Sequence, residues 1–548
     1  MIGIEGLGRR GGLLAGAAGA AAIAFGAGVA SAQEPQASAP ANAQTLQAEV
    51  EELKALIKAQ AERDQRQIDA LSAQVKSLQA EVQQQTAVAT APPSSNQGLP
   101  RTAQNGATQS NVPAASAAAS GESRTGEPRV ATNQTHRLRL ETSDGQYSIG
   151  LAGLIQFDAG AYNFHADNAA VGPPAFTNGV NARRARIGVV GTAPGGWGYA
   201  LVYDTGNSQD TTPKGIQTAQ VVYGGIDGAA IEIGYSNTFF TLDQSTSSAD
   251  LLFLERSSAS NIATNFNTGD SRSNAGFRLF GDRYWAGAYL TGPASGDSHT
   301  LTAERFGAFE RVAVQALRGK DYSLHLGFGV SQLIQAPNSG NGTPNTLSLS
   351  DQPELRIDPT TLLNTGTIGN AAHPVSGGRV YDLETAATYK GLFWQGEYYH
   401  YQVSRLGLPN NDFDGGYGQI GWVLTGETHT YNNQAGSYYR VYPTHPFSLQ
   451  KGTWGAVEIA ARYDYVGLNS DFTSGVALAS QPDAVEGGIQ RGVTAGLNWY
   501  PNDLVRFMLD YNHIDYDKAN GTKVTGANLG VPVGASFDAV SLRAQVAY

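Results

Sequence analysis

GVTAGLNWYPNDLVRFMLDYNHI, residues 492–514, carries the pattern that decides the fold. Val493, Ala495, Leu497 and Trp499 fall on one side of an extended chain and Thr494, Gly496 and Asn498 on the other, because successive side chains of a strand point to opposite faces. The turn formers Pro501, Asn502 and Asp503 break the run. Alternation then resumes, with Val505, Phe507, Leu509 and Tyr511 against Arg506, Met508, Asp510 and Asn512. The stretch predicts a β-hairpin with one apolar face and one polar, charged face. Whether the apolar face meets a protein core or lipid sets the class of protein.

The same alternation recurs from Gln146 to the end of the chain. Tyr147, Ile149, Leu151, Ile155 and Phe157 oppose Ser148, Gly150, Gln156 and Asp158, and Val540, Leu542, Ala544 and Val546 oppose Ser541, Arg543 and Gln545. Two features assign the apolar side to lipid. The polar side carries charges and glycines strand after strand, as a wet interior would. Short turns at 193–197, 225–230, 281–283, 318–321 and 500–503 alternate with long polar loops at roughly 164–181, 237–273, 332–353 and 466–486. Short turns on one rim and long loops on the other are the plan of an outer-membrane barrel. Closure is what lets a sheet cross lipid, since every backbone polar group must be paired. Trp197, Trp285, Trp394, Trp499 and Tyr500 are expected in the interfacial aromatic girdles. A soluble β-sandwich is the competing architecture, but it would need a second apolar sheet, and about 400 residues is long for one.

The N-terminal quarter has a different character. Arg9 and Arg10 precede an apolar stretch, Gly12 to Val29, that ends in Ala30-Ser31-Ala32, so residues 1–32 are predicted to be a cleaved export signal rather than a retained anchor. Within residues 33–85, Leu46, Val50, Leu53 and Ile57, and then Ile68, Leu71, Val75, Leu78 and Val82, follow coiled-coil spacing. The eleven-residue step from Ile57 to Ile68 joins the two registers. This predicts a short α-helical coiled coil in the periplasm. Residues 86–135 are Ala, Pro, Ser, Thr, Gln and Gly with almost no aromatics, which predicts a flexible linker, and residues 136–548 are left for the barrel.

Composition removes other classes. The net charge of −11 argues against a nucleic-acid partner, because phosphate backbones need a basic face. The chain has no Cys, hence no disulfide framework or thiolate metal site. There is no His-Glu-x-x-His, Gly-x-Ser-x-Gly or P-loop, and the nine His have no metal-pair spacing, so no enzyme activity, metal or cofactor is expected.

Five stretches carry a family resemblance: RRARIGVVGT (183–192), STSSADLLFLERS (245–257), GWVLTGETHTY (421–431), WGAVEIAARYDYVGLN (454–469) and GLNWYPNDLVRFMLDY (496–511). Through them, residues 137–548 resemble the phosphate-selective porin O/P family of Gram-negative outer membranes. The resemblance implies an all-β, transmembrane antiparallel β-barrel of about 16 strands, preceded by a short coiled coil and assembled as a homotrimer in outer-membrane lipid. It implies one water-filled pore per subunit, narrowed by the third long loop, for passive diffusion of small hydrophilic solutes, anions such as phosphate among them. Alternation places Arg184 and Arg186 on the polar face as anion-attracting residues. Arg278, Arg305, Arg311, Arg462, Arg506 and Arg543 are further pore-lining candidates. Each competes with a bland alternative, a salt bridge to Asp158, Asp204, Glu232, Glu458, Asp464 or Asp510. Arg183 has the opposite parity and is assigned to the rim. Asp243, Ser245, Thr246, Ser247, Ser248 and Asp250 are the constriction-loop candidates.

Where phosphate-selective members carry lysines, this chain reads GYSNTFF (234–240). The body from His136 onward holds 26 Lys plus Arg, only six of them Lys, against 36 Asp plus Glu. That balance predicts a weak rather than strong phosphate preference. An alternative function is a structural envelope protein, with the barrel as anchor and the coiled coil binding peptidoglycan.

Overall fold

In a computed structural model, the described residues are 129–132, 138–166, 176–206, 215–267, 269, 271–294, 303–352, 354–473, 476, 478–517 and 535–548, with Lys58 alone from the N-terminal unit of residues 1–100. The signal and coiled-coil expectations lie outside them.

The body is one closed antiparallel ring of sixteen strands. In chain order these are β1 (Ser148–Ala166), β2 (Gly179–Ala193), β3 (Trp197–Asp204), β4 (Gly215–Tyr223), β5 (Ala229–Ser236), β6 (Arg272–Phe280), β7 (Tyr284–Thr291) and β8 (Phe306–Arg318). They continue with β9 (Tyr322–Gln335), β10 (Val375–Tyr389), β11 (Leu392–Arg405), β12 (Asn411–Val423), β13 (Ala456–Ser470), β14 (Val485–Tyr500), β15 (Val505–Asp517) and β16 (Ala535–Ala547). Each strand pairs with its sequence neighbour, and β16 closes on β1 from Ala535↔Ala166 to Ala547↔Leu154. The first residues of β1 extend past the end of β16. There the strand Leu138–Glu141 takes the open edge, with Leu140 opposite Ile149, and is itself paired with Arg129–Thr132. Residues 129–132 fall within the stretch read as linker, so described β-structure begins before the expected boundary at 136. Covering an edge removes unpaired backbone groups that lipid cannot satisfy.

The opening hairpin is β14–β15, with Leu497 opposite Leu509. Its two faces separate sharply: Leu509 is 39% exposed and Asp510 beside it 2%. Val493, Leu497, Phe507 and Tyr511 join the outer face, and Thr494, Asn498, Arg506 and Asn512 the inner one. Trp197 and Trp394 lie outside, as the girdle reading expects. Trp285 and Tyr500 do not. Both are 1% exposed and point inward, Trp285 donating through its indole nitrogen to the Gln434 carbonyl and Tyr500 through its hydroxyl to Glu458. Each has a polar handle that an inward-folded segment or an inner-wall carboxylate satisfies.

The alternation of short turns and long loops holds with two exceptions. The β11–β12 connection, on the long-loop rim, has only residues 406–410. The β12–β13 connection, on the short-turn rim, runs from 424 to 455. Three connections fold into the barrel. The third long loop, 237–271, carries α1 (Leu242–Ser245) and α2 (Ser258–Asn267). The 336–374 connection pairs Ser350–Asp351 with Leu363–Asn364, and the 424–455 connection pairs Tyr431–Asn432 with Ser437–Tyr438. The interior is therefore partly filled, with an apolar core of its own. Ala259, Ile262, Ala263 and Phe266 of α2 recur at helical spacing and pack with Phe240, Phe309, Leu333 and Tyr401.

Candidate channel interior

Arg183 and Arg184 both point inward, which simple alternation forbids. The β1–β2 ladder explains it: Gln156 pairs with Arg184 and Phe157 with Ala182, leaving Arg183 as the extra residue of a β-bulge. A bulge re-aims one side chain, so Arg183 belongs to the lumen and not to the rim.

These guanidiniums meet Glu255 of the inward loop. Arg183 Nε and Nη2 donate to Glu255 at 2.7 and 3.0 Å, Arg543 Nη2 donates at 2.7 Å, and Arg184 Nη2 lies 3.8 Å away. Burial opposes the charge on Glu255, but Arg183, Arg184 and Arg543 together outweigh it and hold the carboxyl well below the usual range. Arg543 also grips Asp158 through two bonds of 2.7 and 2.6 Å, and Arg184 donates to Gln156 at 2.7 Å.

The other candidate arginines are held as well. Arg186 pairs with Asp204 at 2.8 Å and donates to the Ser248 hydroxyl. Arg278 pairs with Glu232 at 3.0 Å and reaches the Gln434 carbonyl. Arg311 forks onto Glu384 and donates to Ser245 Oγ and the carbonyls of Ala435 and Gly436. Arg462 pairs with Glu354 and donates to the Glu255 carbonyl. Arg506 stacks over Tyr500 and donates to the Leu251 and Leu252 carbonyls, at 2.6 and 3.3 Å. Arg305 lies one residue before β8, half-buried, and donates to the Asn265 carbonyl. Of the expected pairings, those of Arg186 with Asp204, Arg278 with Glu232 and Arg543 with Asp158 form. Arg311 and Arg462 take Glu384 and Glu354 instead, and Arg506 binds loop carbonyls.

All six constriction-loop candidates are buried inside the barrel. Asp243 pairs with Arg256 at 3.3 Å, and Asp250 with Arg440 at 3.2 Å. Ser245 and Ser248 receive Arg311 and Arg186. Thr246 Oγ1 donates to the Leu242 carbonyl, and Ser247 Oγ accepts the Ala249 N–H.

Two cavities beside the folded-in segments bear on a passing ion. One, about 290 Å³, is lined by Arg272, Glu304, Arg305 and Ile262 among others. The second, about 100 Å³, shares Asn265 and Ser350 with it. Arg183, Arg184, Arg256 and Arg356 line the second against only two carboxylates, Glu255 and Asp351. Arg256, Arg356, Arg272 and Glu255 were not singled out from the sequence. The signal for two of them was present, since the Glu255-Arg256 pair ends the apolar run LLFL inside a loop.

A closed sixteen-stranded antiparallel barrel with an apolar outer belt, a charged inner wall and an inward-folded loop defines an outer-membrane channel protein. The family model for "Phosphate-selective porin O and P" matches residues 149–548. The chain belongs to that family. Porin O of Pseudomonas aeruginosa is 23% identical over 403 residues, covering 71% of this chain and 87% of that protein. An uncharacterised protein of Caulobacter vibrioides is 27% identical over 477 residues, 85% of this chain and 84% of its own. Among solved structures, the anion-selective porin of Comamonas acidovorans aligns at 13% identity with a TM-score of 0.42, covering 73% of this chain and all of its own. OmpT of Vibrio cholerae aligns at 12% identity with a TM-score of 0.43, covering 74% of this chain and 98% of its own.

Proposed function

We propose that the barrel conducts small hydrophilic solutes passively and favours anions, phosphate among them, over cations. One observation carries this reading: the roughly 100 Å³ cavity against the inward loop presents four guanidiniums and two carboxylates. An anion entering from the larger cavity, past Arg272 and Arg305, exchanges part of its hydration for charge-assisted hydrogen bonds. Because each guanidinium is already held by protein acceptors, the interaction is shared and weak at each step. A solute must leave as readily as it enters, so weak, multiple contacts suit conduction better than a tight site. The overall acidic balance of the body is consistent with modest selectivity.

The test is planar-bilayer conductance in a salt gradient, followed by titration of phosphate into chloride. A reversal potential of anion-selective sign, with chloride current reduced by phosphate only at high concentration, is the expected result. A cation-selective reversal potential overturns the anion reading. Absence of step conductance would favour the envelope-anchor function instead. In this reading the assembly is a homotrimer, and residues 33–85 form a periplasmic coiled coil that supports it, with peptidoglycan as a further contact. Deleting residues 33–85 should lower trimer yield while leaving unitary conductance unchanged.

A further inference from the structure

The wall formed by β10 and β11 carries a charge imbalance that the anion path does not use. Asp382 and Glu384 project inward from β10, and Glu397 on β11 sits directly across the ladder from Glu384. All three are buried, and their carboxylate oxygens lie within 4.8 Å of one another. Glu384 receives both arms of Arg311, at 2.7 and 2.8 Å, and approaches His325 at 3.2 Å. Glu397 accepts the backbone N–H groups of Leu242 and Asp243, at 2.7 and 3.0 Å, and the Tyr417 hydroxyl at 2.5 Å. Asp382 is different. It is 0% exposed, and neither of its oxygens accepts a hydrogen bond among the described residues.

Three buried carboxylates thus share one guanidinium. Buried charge without a counter-charge is strongly disfavoured, so a cluster of this composition calls for something positive. Glycine on the neighbouring strand makes room for the Glu384 carboxylate itself. On β9, Gly327 and Gly329 sit opposite Glu384 and Asp382, and a Cβ at Gly327 would come 2.4 Å from the Glu384 carboxylate.

We propose that Asp382, Glu384 and Glu397 hold a divalent, oxygen-preferring cation of the calcium or magnesium class. Three carboxylates with no nitrogen or sulfur donor in the set match a hard cation. Metal–oxygen distances of about 2.0–2.6 Å are compatible with ligand oxygens spaced as these are. Since Glu397 also receives the first turn of α1, the ion ties the inward loop to the barrel wall. Residue spacing alone points to no such site, because strand pairing is what brings Glu397 beside Glu384.

The test uses the full chain in detergent, stripped with a chelator and then dialysed against calcium or magnesium. Bound metal is measured by mass spectrometry, and the thermal unfolding midpoint is followed. Wild type should retain about one ion per chain more than D382N and gain about 3–5 °C at a large excess of cation, a rise that D382N lacks. Equal metal content, or equal shifts, in the two proteins overturns the proposal and leaves a proton shared between Asp382 and Glu397 as the alternative. Should D382N fail to fold, terbium luminescence on wild type decides. Emission sensitised by Tyr417 and quenched by added calcium supports the site, and its absence refutes it.

Discussion

Two charge clusters occupy opposite arcs of the strand ring. On β16, β1 and β2, Arg183, Arg184 and Arg543 surround Glu255 of the loop, and Arg543 also holds Asp158. On β8, β10 and β11, one guanidinium, Arg311, faces Glu384, with Asp382 and Glu397 close by. Both clusters hold a segment of the loop 237–271, the first through Glu255 itself and the second through Ser245 and the N–H groups of Leu242 and Asp243. Their net signs are opposite. A lumen's overall charge therefore says little about any one surface within it. Which charges face a passing ion is set by how the loop divides them.

The largest effect is expected from Glu255→Gln. It removes the carboxylate that Arg183 and Arg543 share, leaving Asp158 on Arg543, a change expected to cost about 3–5 kcal/mol. Urea unfolding of the purified barrel checks it, and an unchanged midpoint would show that the cluster is hydrated rather than buried.

Arg311→Gln is the mirror experiment. It removes the guanidinium from the acidic cluster and frees both the Ser245 and the Ala435–Gly436 contacts, at an expected cost of about 3 kcal/mol. Losing two loop attachments should also raise current noise in single-channel records.

Acid offers a gentler probe of the first cluster. The folded value of Glu255 lies below its unfolded one, so its contribution is complete above the ordinary glutamate range near about 4.3 and fades only as pH falls through the depressed value. Wild type should therefore lose its advantage over Glu255→Gln at strongly acidic pH and keep it at pH 5 to 7. An advantage that has already vanished at pH 5 would contradict the pairing.

The smallest expected effect is on selectivity. Arg356→Gln leaves the strand wall intact but removes one of four guanidiniums from the 100 Å³ cavity. Loss of about 0.5–1 kcal/mol of attraction corresponds to roughly a twofold to fivefold fall in the chloride-to-potassium permeability ratio. The reversal potential measures it directly.

The amino-acid sequence already specifies the barrel. Period-two alternation in stretches such as 492–514 separates Leu509 from Asp510 on local geometry alone, so the faces of the strands and the short turns are legible without any tertiary information. It also placed Asp243 to Asp250 in an inward loop, through a resemblance rather than a pattern. Contacts between distant segments account for the rest. The bulge at Arg183 breaks the parity rule, and its sole sign is a ladder register that needs both strands. Trp285 and Tyr500 read as girdle residues until an inward-folded segment and an inner-wall carboxylate supplied their partners. Arg506 makes the same point. Alternation turned it inward, but the carbonyls of Leu251 and Leu252 hold it, from a loop more than two hundred residues away in the chain. Strand faces follow from local covalent geometry, whereas the partner of a buried charge depends on which distant segment fills the space beside it.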